Sequence, residues 1–146
     1  MSRVNPLSRA EGTQITMTQA FIEHVNITVG SPERTAEMLS QLFGWQVRWK
    51  GPSADGGRTI HTGTANHYVA VYARKDTDGA PIKHIKGQPL NHIGVVVDDL
   101  DAVEERAILL GLKPFSHGDY DPGKRFYLFD TDGIEWEIVS YSAVTS

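Results

Sequence analysis

The 146-residue sequence contains no cysteine. That removes disulfides, thiolate metal ligands and a cysteine nucleophile together, and it fits a reducing compartment, so a cytoplasmic protein is expected. No apolar run approaches the roughly 20 residues a membrane-spanning helix needs, so no membrane partner is expected. The opening stretch, MSRVNPLSRAEGTQITMTQA, lacks the apolar centre of a secretory signal. Residues 1–20 read as a polar extension and residues 142–146 as a short tail. Basic residues are a minority, 14 Lys and Arg against 18 Asp and Glu, for a net charge of −4. They form no stripe and do not alternate with aromatics, so nucleic acid is not an expected partner. The length suits one compact domain, which can bury roughly two thirds of the surface its unfolded chain exposes.

The most informative feature is a pattern written twice. EHVNITVGSPERTAEMLSQLFG begins at Glu23, and NHIGVVVDDLDAVEERAILLG begins at Asn91. Each opens on a polar residue and a histidine, then alternates apolar residues, turns, and runs through an amphipathic stretch to a glycine. In the first copy Val25, Ile27 and Val29 alternate with His24, Asn26 and Thr28, the period of a half-buried strand. Ser31 suits a helix cap, Pro32 the first helical position and Gly44 the stop. Leu39, Leu42 and Phe43 form the apolar stripe. Strands are predicted at WQVRWK (45–50), GRTIHTGT (57–64) and HYVAVYAR (67–74). In the second copy Asp98 or Asp99 caps a helix whose stripe is Leu100, Val103, Ala107 and Leu110. Strands follow at KPFSH (113–117), RFYLFD (125–130) and IEWEIVSY (134–141), the last two joined by the tight turn DTDG. The expectation is α+β: one domain over 21–141, built of two βαβββ modules, 21–74 and 91–141, with 75–90 as linker. SHGDYDPGKR (116–125), with two glycines, a proline and no apolar period, reads as a mobile flap.

Strand alternation carries the functional reading. If Val25, Ile27 and Val29 pack under the first helix, His24 faces the other way, and His92 opposes Ile93, Val95 and Val97 likewise. In the last strand Trp136 and Ile138 take the apolar side, leaving Glu135, Glu137, Val139 and Tyr141 opposite. Two imidazoles and a carboxylate on one inner face are costly to bury unless paired or metal-bound. His24, His92 and Glu137 make a first shell for a divalent metal with positions left open. Taken singly, each histidine is as readily a satisfied strand residue. Asn26, Thr28, Tyr68, Tyr72, Arg125 and Tyr141 face inward with them. Of these, Asn26, Tyr68, Arg125 and Tyr141 are candidate substrate contacts. Arg125 suits a carboxylate or phosphate; otherwise it is a solvated residue. His61, His67, His84 and His117 have no counterpart in the other copy and read as surface residues.

Three stretches, EHVNITVGSPERTAEMLSQLFGW, NHIGVVVDDLDAVEERAILLGLKP and FYLFDTDGIEWEIV, carry a resemblance over residues 21–141 to the vicinal oxygen chelate superfamily. It includes glyoxalase I, bleomycin-resistance proteins, fosfomycin-resistance thiol transferases and extradiol dioxygenases. The resemblance implies two βαβββ modules forming a curved, open mixed sheet around a metal, with the helices outside and a homodimeric assembly. It places metal ligands at His24, Ala70, His92 and Glu137. Alanine cannot ligate, which weakens the likeness to glyoxalase I and leaves a two-histidine, one-carboxylate triad of the kind non-haem Fe(II) oxygenases use. Tyr127, Asp130, Gly133 and Glu137 resemble an extradiol pattern, with Thr131 in place of a proline and His117 as a distant candidate base. Tyr127 is a candidate hydrogen-bond or proton donor, or plain strand packing. The resemblance thus implies a metal-dependent enzyme on a small oxygen-rich substrate. Fe(II) and dioxygenase-like cleavage are favoured. A lyase, isomerase or thiol transferase using Zn, Ni or Mn is the alternative, and a metal-free binding protein of the bleomycin-resistance kind the third.

Overall fold

Chain order in the computed structural model, which describes residues 20–141, runs through two similar blocks. The first holds β1 (His24–Thr28), α1 (Pro32–Phe43), β2 (Gln46–Pro52), β3 (Arg58–Gly63) and β4 (Tyr68–Ala73). The second holds β5 (Ile93–Val96), α2 (Leu100–Leu109), β6 (Phe115–Tyr120), β7 (Gly123–Phe129) and β8 (Glu135–Tyr141). Between them, residues 75–90 carry no helix or strand. Nearly all of the expected polar extension, and the 142–146 tail, lie outside the described residues.

Each block folds into its own four-stranded mixed sheet, ordered β1-β4-β3-β2 and β5-β8-β7-β6. The first strand of each runs parallel to the last, and the remaining neighbours are antiparallel. The fold is therefore α+β, two tandem βαβββ modules with open sheets. The caps are those the sequence predicts. Ser31 Oγ accepts from the Arg34 N–H, Gly44 takes the left-handed conformation at φ 71°, and Asp99 accepts from the Ala102 N–H.

The alternation along β1 is realised: Ile27 and Val29 are buried while His24 and Asn26 are exposed. The apolar faces of both sheets and the helix stripes form one core. Leu39, Leu42 and Val71 join Val103, Ala107, Phe126, Trp136 and Ile138 in it. Arg106 of α2 donates to the Leu42 carbonyl of α1 at 2.9 Å. The polar faces of the sheets are left for chemistry.

One expectation is corrected. The 116–125 flap is the β6–β7 hairpin, turning at Asp121 and Pro122. Its glycines mark close approach rather than mobility: a Cβ on Gly123 would lie 2.3 Å from the Ser140 carbonyl oxygen. β6 lies at the sheet edge, exposed along much of its length, so no apolar period extends the expected strand at 113–117 through to Tyr120.

Candidate metal centre

β8 and β5 run side by side, and their register places Gly94 against Glu137. The polar face there carries His92, just before β5, and Glu137 from the middle of β8. A Cβ at Gly94 would lie 3.9 Å from Glu137 Oε1, in ordinary van der Waals contact. His92 Nε2 and Glu137 Oε1 are 3.1 Å apart. β7 lies on the other side of β8 and adds two partners for the second carboxylate oxygen. Arg125 donates to Oε2 at 3.0 Å and the Tyr127 hydroxyl donates to it at 3.2 Å. Burial and the Glu137 charge raise the Tyr127 phenol above its ordinary range, so it keeps its proton at neutral pH.

The other nitrogen of His92 is already committed: Nδ1 lies 2.8 Å from Asn91 Oδ1. With the amide oxygen turned to Nδ1, that nitrogen carries the hydrogen and Nε2 is left with a lone pair. A lone pair and a carboxylate oxygen then face one another, which requires a cation between them, a proton or a metal ion. Two ligands sharing one metal at about 2.0–2.2 Å and a right angle would themselves lie about 3 Å apart. The pair therefore fits a divalent metal, and Arg125 and Tyr127 hold the carboxylate in place for it.

His24 stands on the other sheet. Its Nδ1 lies 2.8 Å from Glu23 Oε1, again leaving Nε2 free. Its ring stacks on Tyr68 with centroids 4.8 Å apart, and Tyr68 stacks on His61 at 4.6 Å. Among the described residues, no three His, Cys, Asp or Glu side chains gather as a metal site. One chain thus brings together two of the three expected ligands, with Arg125 and Tyr127, and holds the third apart.

The remaining candidates scatter. Asn26 faces the linker across a cavity of about 190 Å³ that Glu135 also lines. Tyr141 sits at the far end of β8, exposed and paired with Gly123. His117 is turned to the helix side. Its Nε2 lies 2.5 Å from Glu104 Oε2 of α2, and its ring stacks on the buried Phe126. It is not on the face that carries Glu137, because Phe126 and Tyr127 point to opposite sides of β7. Ala70, 2% exposed, pairs with His61 and Asn26 across the sheet, so the fourth family position opens onto packed neighbours. A cavity of about 980 Å³ between the end of α1, β2 and the start of α2 is lined by none of the candidate residues.

Four further residues belong here. Glu23 and Asn91 accept from the two histidines, His61 stacks behind Tyr68, and Glu135 is a buried carboxylate held by Lys86 at 2.8 Å. Glu23 and Asn91 are signalled by the polar residue before the histidine in both copies, and Glu135 by its alternation with Trp136 and Ile138.

Known structures share this architecture. A glyoxylase/bleomycin resistance protein/dioxygenase domain from Frankia sp. EAN1pec superposes with a TM-score of 0.72 at 17% identity, covering 86% of this chain and 94% of that one. The fosfomycin resistance protein FosX from Mesorhizobium loti gives 0.66 at 20% identity, covering 87% and 96%. FosX from Listeria monocytogenes, solved with Mn(II) and sulfate, gives 0.66 at 15% identity, covering 86% and 96%. At such identities the likeness speaks for the fold alone. No curated protein matches the sequence. The family model of the Glyoxalase/Bleomycin resistance protein/Dioxygenase superfamily matches residues 21–138, and the chain belongs to that superfamily.

Proposed function

We propose that the protein is a divalent-metal enzyme acting on a small oxygen-rich substrate, its metal held by His92 and Glu137 of one chain and His24 of a second copy in a homodimer. The carrying observation is the 3.1 Å approach of His92 Nε2 to Glu137 Oε1 while Nδ1 is spent on Asn91. A bound divalent ion would supply Lewis acidity toward chelated substrate oxygens. The chain's own residues prepare the surroundings. Glu137 is oriented through Oε2 by Arg125 and Tyr127. Arg125 Nε is buried without a partner, a donor left to receive an anionic substrate oxygen. Tyr127 gives its hydrogen to Glu137 Oε2, and its hydroxyl oxygen is left to accept a hydrogen bond from a substrate hydroxyl.

Non-redox chemistry, of the lyase, isomerase or thiol-transferase kind, is the reading we place first. His117, the distant candidate base for oxygen-dependent cleavage, is occupied by Glu104 on the helix side. The shared fold of the Listeria FosX solved with Mn(II) supports a divalent metal such as Mn(II). Extradiol-type cleavage with Fe(II) is the second reading, favoured by Tyr127 beside Glu137.

The test is metal analysis of protein purified without added metal, followed by Mn(II) titration. The unmodified protein should bind about one ion per chain. His24→Ala, His92→Ala and Glu137→Ala should each lose it while keeping the native circular dichroism. Full occupancy in any two of the three would sink the triad. Oxygen uptake with catechols after anaerobic Fe(II) loading would transfer the case to the second reading.

A further inference from the structure

The two modules repeat more than a histidine. In each, the preceding residue turns its side-chain oxygen back onto the ring, Glu23 Oε1 onto His24 Nδ1 and Asn91 Oδ1 onto His92 Nδ1, both at 2.8 Å. Successive residues within a regular strand point to opposite faces, so strand geometry does not impose this contact. Both acceptors sit just before the first residue of a strand or its histidine, where the chain is free to curl back. The same distance to the same ring atom in two copies with different residues, a carboxylate and an amide, marks a shared requirement.

That requirement is a tautomer. A neutral imidazole carries its hydrogen on one nitrogen, and the partner of that nitrogen decides which. With Nδ1–H donated backwards, Nε2 is left as the lone pair that faces outward. The plane of His24 is fixed as well. Tyr68 of β4 lies against it at 4.8 Å with 14° between the rings, His61 of β3 lies beyond, and Trp49 of β2 meets His61 at 4.9 Å. The strand order β1-β4-β3-β2 makes this a ladder of rings standing across the sheet. Arg48 adds its guanidinium 4.4 Å from the Tyr68 centroid.

We propose that Glu23 and Asn91 are positioning residues that set Nε2 as the ligating nitrogen of His24 and His92, and that Tyr68, backed by His61, holds the plane of His24. This rests on the metal-site reading above. The unequal acceptors have a chemical consequence. A carboxylate on Nδ1–H makes its imidazole a stronger donor to a cation than an amide does. His24, which stands without a carboxylate ligand in its own module, receives the carboxylate. His92, which already has Glu137 beside it, receives the amide.

The experiment reads ring tautomers directly, by long-range ¹H–¹⁵N correlation in histidine-labelled, metal-free protein at about pH 8.5, where an ordinary imidazole is neutral. His24 should be in the Nδ1–H form. Glu23→Ala should move it toward Nε2–H and weaken Mn(II) binding about tenfold or more, the usual effect of losing such a partner. Glu23→Gln should keep the tautomer and most of the affinity. Asn91→Ala should weaken Mn(II) comparably, and Tyr68→Leu should weaken it where Tyr68→Phe does not. An Nε2–H form of His24 in the unmodified protein, or an unchanged tautomer in Glu23→Ala, overturns the positioning role. If the tautomer shifts as expected while even the unmodified protein binds no Mn(II), the orienting contact stands and the metal reading falls.

Discussion

Tyr127 and Asp130 stand at the end of β7, and burial raises the pKa of both, with different results. Tyr127 stays a donor to Glu137. Asp130 works as the acceptor at the turn. Its Oδ1 takes the Asp132 and Ile134 N–H groups, and its Oδ2 takes Trp136 Nε1–H at 3.0 Å. The acidic residue that the extradiol likeness singled out is thus spent on the hairpin. Desolvation holds its carboxyl above the ordinary range, against the pull of the Trp136 hydrogen bond. A carboxyl with a raised folded pKa binds more protons folded than unfolded in the window between the two values. Stability therefore falls as pH rises from about 3.9, the unfolded aspartate value, through the raised one. Asp130→Asn should flatten that slope in urea midpoints taken between pH 4 and 7. It should also cost about 2 kcal/mol at neutral pH, because an amide NH₂ then meets a buried indole N–H. An unchanged slope would mean Asp130 titrates as it does unfolded.

At the level of elements, the turn between β7 and β8 is where module two grips the rest of the chain. Asp132, fully buried, accepts from Gly30 N–H at 3.0 Å and from Ile82 N–H at 2.9 Å. It thereby ties the β1–α1 junction and the linker to one carboxylate. Gly30 cannot be larger, since a Cβ there would lie 1.9 Å from the Ala80 carbonyl oxygen. Asp132→Ala strands two N–H donors and should cost about 3 kcal/mol by urea denaturation. It should also speed proteolytic cleavage within residues 75–90. Asp132→Asn, which keeps an acceptor oxygen, should do markedly less. Equal cleavage rates in both variants and the parent would show that the linker is held elsewhere.

That contact was not legible in advance, whereas the elements it joins were. Caps at Ser31 and Asp99, the Gly44 stop and the period-two runs of β1, β5 and β8 are local signals, written by residues that face a single core. The strands of the β6–β7 hairpin are legible at 113–117 and 125–130, but their continuation through residues 118–124 is not, because an edge strand exposed along much of its length has no period to display. His117 is exposed, as a surface residue should be, but its turn toward Glu104 depends on the β6 register, which no local pattern states. Glu137 and His92 could be assigned to one face by alternation. Their meeting depends on β5 and β8 being neighbours, which the duplicated βαβββ order implies. Whether His24 joins them depends on how two sheets are arranged in space, and no local pattern encodes that.

On the proposed reading, the whole molecule carries two unlike half-sites on one chain. Module two offers an imidazole and a fixed carboxylate; module one offers an imidazole held by its ladder of rings. Val47 of β2 and Val96 of β5 are 52% and 63% exposed, and both line the 980 Å³ cleft. Apolar strand residues left open in this way suit a second copy, and a two-fold pair would bring unlike halves together twice. The arrangement can be tested by complementation. His24→Ala and Glu137→Ala chains each lack one half, so neither alone should bind Mn(II). When the two are mixed and allowed to exchange, about half the dimers should be mixed, and each should hold one site built from the intact His24 of one chain and the intact Glu137 of the other. The mixture should recover about a quarter of the parental metal, read by Mn(II) titration, while light scattering confirms the dimer. If the three ligands came from a single chain, every chain in the mixture would remain defective and no metal would return.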